Sequence, residues 1–298
     1  MTSDLLLFTG INILMAWSVY IVLMSGTLSF ANGGFMAIGG YVAGALTVKA
    51  GLPLPLAMLV GAVLCALFAM AVAWPSLRTR GVYLILVTIG VSFCVKNAFE
   101  ATKFFGGVQG MSGLQGTTVW LVWGTVLAVG LGLWLLSRTP MQRIMDAVRE
   151  DEMAARSLGV SPAYVKTVCL GAGAAIAAVA GAFYAHHMFV ITPEHFNIFV
   201  SVFVVLYVIM GGVNNLWGPV VGATIMTALP ELIRELQAWR PTAFGLAIVI
   251  LLLVRPEGLL AFRTRSAKAA DARLEPGVDV AAPHVIAAAP AVREEAVR

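Results

Sequence analysis

The sequence predicts an all-α integral membrane protein, a polytopic bundle of about 8–10 transmembrane helices with one cytoplasmic helical loop. Three observations predict it. Hydrophobic residues make up 60% of the chain and charged residues 11%, against roughly 25% charged in a soluble domain. Apolar runs recur at about the 20 residues that a helix needs to cross a hydrocarbon core of about 30 Å. The charges collect in connections, most densely over residues 137–166. The net charge of +4 is small and scattered through loops and tail, so it carries topology and not a nucleic-acid footprint. Cys65, Cys94 and Cys169 are odd in number and far apart in apolar surroundings. They read as small core residues, not as a disulfide frame or metal site.

Residues 5–24 form the first apolar run. Asp4 precedes it with no Lys or Arg, which argues against a signal peptide. The second segment, GTLSFANGGFMAIGGYVAGALTV, places Gly33, Ala37, Gly40 and Gly44 on one helical face, where helix backbones can approach closely. Two readings stay open there: tight packing alone, or a broken helix over residues 26–34 lining a path, with Ser29 and Asn32 offering hydrogen bonds at membrane depth.

Residues 53–75 and 81–95 give the third and fourth spans, joined by the basic turn PSLRTRG, whose Arg78 and Arg80 mark it as cytoplasmic. A connection rich in Gly106, Gly107, Gly110, Gly113 and Gly116 follows, either a functional loop or a linker. Residues 117–136 are the fifth span. Residues 167–190, 197–211, 219–230 and 242–254 are the remaining four, which makes nine crossings. With the charged loop, the PSLRTRG turn and the C-terminus on the cytoplasmic side, the N-terminus lies outside. Residues 1–262 then form the membrane domain, and 263–298, mixing Ala, Pro and both charge signs without periodicity, a disordered tail.

Between the fifth and sixth spans lies the charged stretch. Met141, Ile144, Met145, Val148, Ala155 and Leu158 recur at helical steps, Thr139-Pro140 and Ser161-Pro162 are helix starts, Glu152 and Arg156 are an i,i+4 pair, and Gly159 is a C-cap. This is a capped amphipathic helix or helix pair whose apolar stripe rests either on its own bundle or on another subunit.

No Asp, Glu, Lys or Arg stands in the middle of an apolar run; Lys49, Lys96, Glu100 and Lys103 fall at ends or in loops. The usual mark of a proton relay is missing, and so is a phosphate-binding glycine loop. Uphill transport would draw its energy from outside the chain, and the amphipathic cytoplasmic helix is where it would enter. Two rival classes remain: a self-sufficient ion-coupled transporter or channel, and an intramembrane enzyme built on His186, His187, Glu194 and His195. The enzyme lacks an HExxH pattern, and Pro193 breaks the spacing. No cofactor or metal is expected.

AVREDEMAARSLGV before a Gly/Ala-rich helix resembles the cytoplasmic loop of the inner-membrane permeases of bacterial branched-chain amino acid ABC transporters, the LivM-like members. In the same order, TLSFANGGFMAIGGY, LRTRGVYLILVTIG, FGGVQGMSGL, MGGVNNLWGPVVGA and VRPEGLLAF are similar to that family's segments, covering residues 27–262. The resemblance implies a permease subunit, not an enzyme. It would work with a second homologous permease, two ATPase subunits and a periplasmic substrate-binding protein. It also implies ATPase coupling at Arg149, Glu150, Asp151, Glu152, Ala154, Ala155 and Gly159. A zwitterionic cargo in a charge-free interior would be met at Ser29, Asn32, Gly33, Gly39 and Gly40, with Asn214 and Asn215 toward the cytoplasm. Met141, Phe105 and Asn214-Asn215 depart from the family pattern outside the loop motif. They leave the cargo open among branched-chain amino acids, other amino acids, amides and urea.

Overall fold

A computed structural model describes residues 2–77, 82–232 and 245. Arg78 and Arg80, most of the connection before the expected last span, that span at 242–254, and the tail at 263–298 lie outside the described residues.

The helices are α1 (Thr2–Met24), α2 (Asn32–Val48), α3 (Leu54–Ser76), α4 (Val82–Ala101), α5 (Val119–Ser137), α6 (Pro140–Glu150), α7 (Glu152–Ser157), α8 (Pro162–Met188), α9 (Ile198–Gly211) and α10 (Trp217–Leu232). Eight of these match the first eight expected crossings in order. Six segments among the described residues are long and apolar enough to cross a membrane by themselves; α2 and α10 are shorter. The molecule is an all-α polytopic membrane protein.

α1 and α8 form the middle of the bundle. α1, α2 and α3 pack on α8, α5 and α10 pack on α1, and α4 packs on α2. The outer helices turn large apolar side chains outward, among them Leu59, Leu67, Tyr83, Trp120 and Leu127; that inversion of the soluble pattern suits a hydrocarbon surround. Small residues hold the middle together. A β-carbon on Gly39 would stand 2.0 Å from the Ala178 carbonyl oxygen, and one on Gly181 would stand 1.9 Å from that of Met36. No side chain fits at either place, so α2 and α8 touch backbone to backbone.

α1 begins near His187, with Asp4 4.0 Å from its Nε2, and ends beside the charged loop, where Gly26 lies against Arg149. The next stretch does not continue as helix. Residues 27–31 are non-helical and largely buried, and α2 starts at Asn32, beside Ser18 of α1. The second crossing is therefore part extended chain and part helix. Such backbone is tolerated at membrane depth only where protein satisfies it, and hydroxyls do so here. Phe30 N–H donates to Thr88 Oγ1 (3.1 Å), Ala31 N–H to Ser29 Oγ (3.3 Å) and Gly33 N–H to Ser201 Oγ (2.7 Å).

Two boundaries differ from the sequence reading. α4 runs past residue 95 and absorbs Lys96 and Glu100. The helix is carried on because Lys96 has partners at hand: Glu100 one turn on (3.5 Å) and Glu194 (2.5 Å). α8 starts at Pro162, so its first turns belong to the charged loop. The glycine-rich connection is pinned down by an antiparallel pair, β1 (Met111–Ser112) with β2 (Val190–Ile191), in the register Met111 opposite Ile191. Gly110 has φ +76°, and a β-carbon there would meet the Ile191 carbonyl at 1.8 Å, so only glycine allows this pairing.

Candidate functional site

Two stations stand out, one in the charged loop and one at the start of α2. In the loop, Asp151 is both the C-cap of α6 and the N-cap of α7, and its Oδ1 accepts from Met153 N–H (2.7 Å) and Ala154 N–H (3.1 Å). α7 closes on Gly159, at φ +82°, with Gly159 N–H donating to Arg156 O and Val160 N–H to Ala155 O. That is a glycine-terminated helix with both last-turn carbonyls satisfied. Glu152 Oε1 accepts from Lys166 Nζ of α8 at 2.5 Å.

The apolar stripe of this loop rests on its own bundle. Met145, Val148 and Ala155 form a buried cluster with Val165 and Cys169 of α8. Ala155 is 1% exposed, so it faces inward. Met153 of α7 is 81% exposed and Leu158, its C-cap, 79% exposed, with Glu150, Asp151 and Ala154 also exposed. Burial raises the Asp146 carboxyl above its usual range, while the Gln142 amide and the Arg149 guanidinium pull it back down.

At the second station, Asn32, Ser18, Thr88, Ser92 and Ser201 are all buried. They come from α1, α2, α4 and α9 and surround the first turn of α2. Asn32 Nδ2 donates to Ser18 Oγ at 2.7 Å, and Ser18 Oγ donates onward to Met15 O. Asn32 Oδ1 has no partner among the described residues. A helix N-terminus and an unpaired amide oxygen thus share one buried, charge-free polar cluster. Further along α2, Tyr41 is fully buried. It stacks on Phe99 (4.4 Å) with Phe105 and Phe196 within 6 Å.

The residues singled out by sequence separate into groups. Ser29, Asn32 and Gly33 lie at the buried polar cluster. Gly39 and Gly40 meet α8 and serve helix contact. Asn215 Oδ1 accepts from Trp217 N–H and starts α10. Asn214 pairs with Arg149, a link the sequence did not suggest. Ser18, Thr88 and Ser201 were missed. Single hydroxyls inside apolar runs bond their own helix so readily, as Ser18 and Thr88 also do, that spacing gives no signal.

The histidine-rich stretch does not converge. His186 is buried, its Nδ1 at 2.8 Å from Ala182 O and its Nε2 at 2.8 Å from Thr47 Oγ1. His187 meets Phe8, Glu194 meets Lys96, and His195 closes a capping box with Thr192. These are four separate structural tasks.

Comparison with known proteins gives one family model, described as the branched-chain amino acid transport system permease component, matching residues 1–255. Two similar proteins are high-affinity branched-chain amino acid transport system permease proteins LivM. The one from Escherichia coli (strain K12) is 29% identical, covering 87% of this chain and 70% of its own length. The one from Salmonella typhimurium (strain LT2) is 30% identical, covering 86% and 69%. No solved structure matches.

Proposed function

The chain belongs to the family of branched-chain amino acid transport system permease components, and from that premise we propose how it serves an ABC importer. It is a transporter subunit rather than an enzyme. Its cargo is a branched-chain or closely related amino acid, handed over by a periplasmic binding protein and moved across the bacterial inner membrane. A second homologous permease completes the pore, and two ATPase subunits supply the energy. Residues 1–262 are the membrane domain and 263–298 a cytoplasmic tail, with the N-terminus outside.

Coupling runs through the α6–α7 loop, to which Arg149, Glu150, Asp151, Glu152, Ala154, Ala155 and Gly159 all contribute. The single observation that carries this is the exposed apolar pair in α7 and at its C-cap. Met153 and Leu158 project outward from a loop whose buried stripe is already satisfied by α8, so they are surplus to the fold. Asp151 and Gly159 fix the helix ends, and Ala155 seats the loop on the bundle. The path runs past the polar cluster at Ser29, Asn32 and Gly33, with the Gly39-Gly40 contact beside it, and leads toward Asn214 and Asn215.

The test is co-purification of the ATPase subunits. Leu158→Asp should cut the ATPase recovered by about tenfold or more, because a large apolar anchor at an interface costs more than 1 kcal/mol when lost. The thermal stability of the chain should not change. Wild-type ATPase recovery with Leu158→Asp and Met153→Asp would move the docking surface elsewhere.

A further inference from the structure

We propose that Arg149 is an intramolecular clasp joining the cytoplasmic helices to the connection that leads into α2 and to the turn that follows α9, a positioning residue and not an ATPase contact. The inference rests on the permease reading above, and it assigns that reading's coupling loop a second, inward function.

Three contacts carry it. Arg149 is the next-to-last residue of α6, directly after Val148, which is buried against α8. Its Cα lies 3.1 Å from where a β-carbon on Gly26 would be, and Gly26 has φ +74°. Gly26 stands at the end of α1, just before the non-helical residues 27–31 that end at Asn32. The other end of Arg149 points elsewhere: Nη2 donates to Asn214 Oδ1 at 3.0 Å. Asn214 lies in the turn between α9 and α10, next to Asn215, which caps α10. α9 carries Ser201, the hydroxyl that accepts from Gly33 N–H.

One residue therefore touches the connection into α2 and the connection out of α9, the two helices hydrogen-bonded to each other through Gly33 and Ser201. A displacement of α6 and α7 by a partner reaches both turns at once through a backbone contact on one side and a charge-assisted hydrogen bond on the other. Only a glycine at position 26 permits the first contact, since a side chain there would meet both strain and the Arg149 backbone. The carboxylate of Asp146, one turn before, and that of Glu150, next in sequence, provide the surrounding charge.

The test has two readouts. In the purified full chain, hydrogen–deuterium exchange over residues 25–31 and 212–216 should rise in Arg149→Ala at both turns; this needs no partner. In the complete importer, Arg149→Ala and Asn214→Ala should each lower cargo moved per ATP hydrolysed by about threefold or more, as expected for losing one charge-assisted bond. The ATPase should stay bound. The double variant should fall no further than the weaker single, and Asn214→Asp, which keeps the acceptor, should restore coupling. Unchanged exchange at either turn overturns the clasp, as do multiplicative losses or release of the ATPase by Arg149→Ala. A wild-type complex that moves no cargo with ATP would instead refute the permease reading, while the exchange result still decides the clasp.

Discussion

Asn32 is the residue at which the two demands on this chain meet. It is 1% exposed, donates to Ser18, and keeps an oxygen unpaired, where an unmet buried acceptor costs about 1–3 kcal/mol. A residue there only for packing would do better as an apolar side chain of similar shape. Asn32→Leu should thus leave thermal stability in detergent unchanged or slightly raised, while uptake falls by about tenfold or more, equivalent to about 1.4 kcal/mol of lost transition-state stabilisation. Uptake at the wild-type rate would reduce the polar cluster to a packing feature. Asn32 was legible in the sequence as a polar residue among glycines. Its partner Ser18, and Ser201, which accepts from the neighbouring Gly33 N–H, were not, because they come from other helices and look like ordinary hydroxyls inside apolar runs.

Among elements, α2 shows most clearly what pattern can and cannot give. Its small-residue face was legible from Gly33, Ala37, Gly40 and Gly44, and a helix partner followed from that. Which glycine bears the contact was not. Gly39, off that face by one position, makes the tightest approach among the α2 glycines, because α2 and α8 cross there with a carbonyl in place of a side chain. Gly39→Ala should destabilise the chain by about 1–3 kcal/mol or more, the range for overpacking a close contact. Gly61→Ala, whose β-carbon would lie 3.6 Å from the nearest atom, should be neutral or mildly stabilising through helix propensity. Thermal unfolding of the two variants side by side checks this, and equal effects would contradict the backbone contact. The α6–α7 loop was equally half legible. Caps and stripe came from Pro140, Gly159 and the apolar spacing, but Ala155 faces its own bundle, a choice of side that periodicity alone does not make.

For the whole molecule, the class and the order of crossings were readable because bilayer thickness imposes one length on every span. The lengths that departed from it did so for local reasons: hydroxyls that satisfy an extended run before α2, and a lysine with two carboxylate partners that prolongs α4. We propose that this bundle moves cargo only when driven through its loop. The direct measurement is leucine uptake into liposomes holding this chain, its homologous permease and the ATPase subunits, with binding protein outside and ATP inside. Uptake should require ATP and the ATPase, and should vanish for this chain alone under any sodium or proton gradient. Gradient-driven uptake by the chain alone, without ATP, would contradict it.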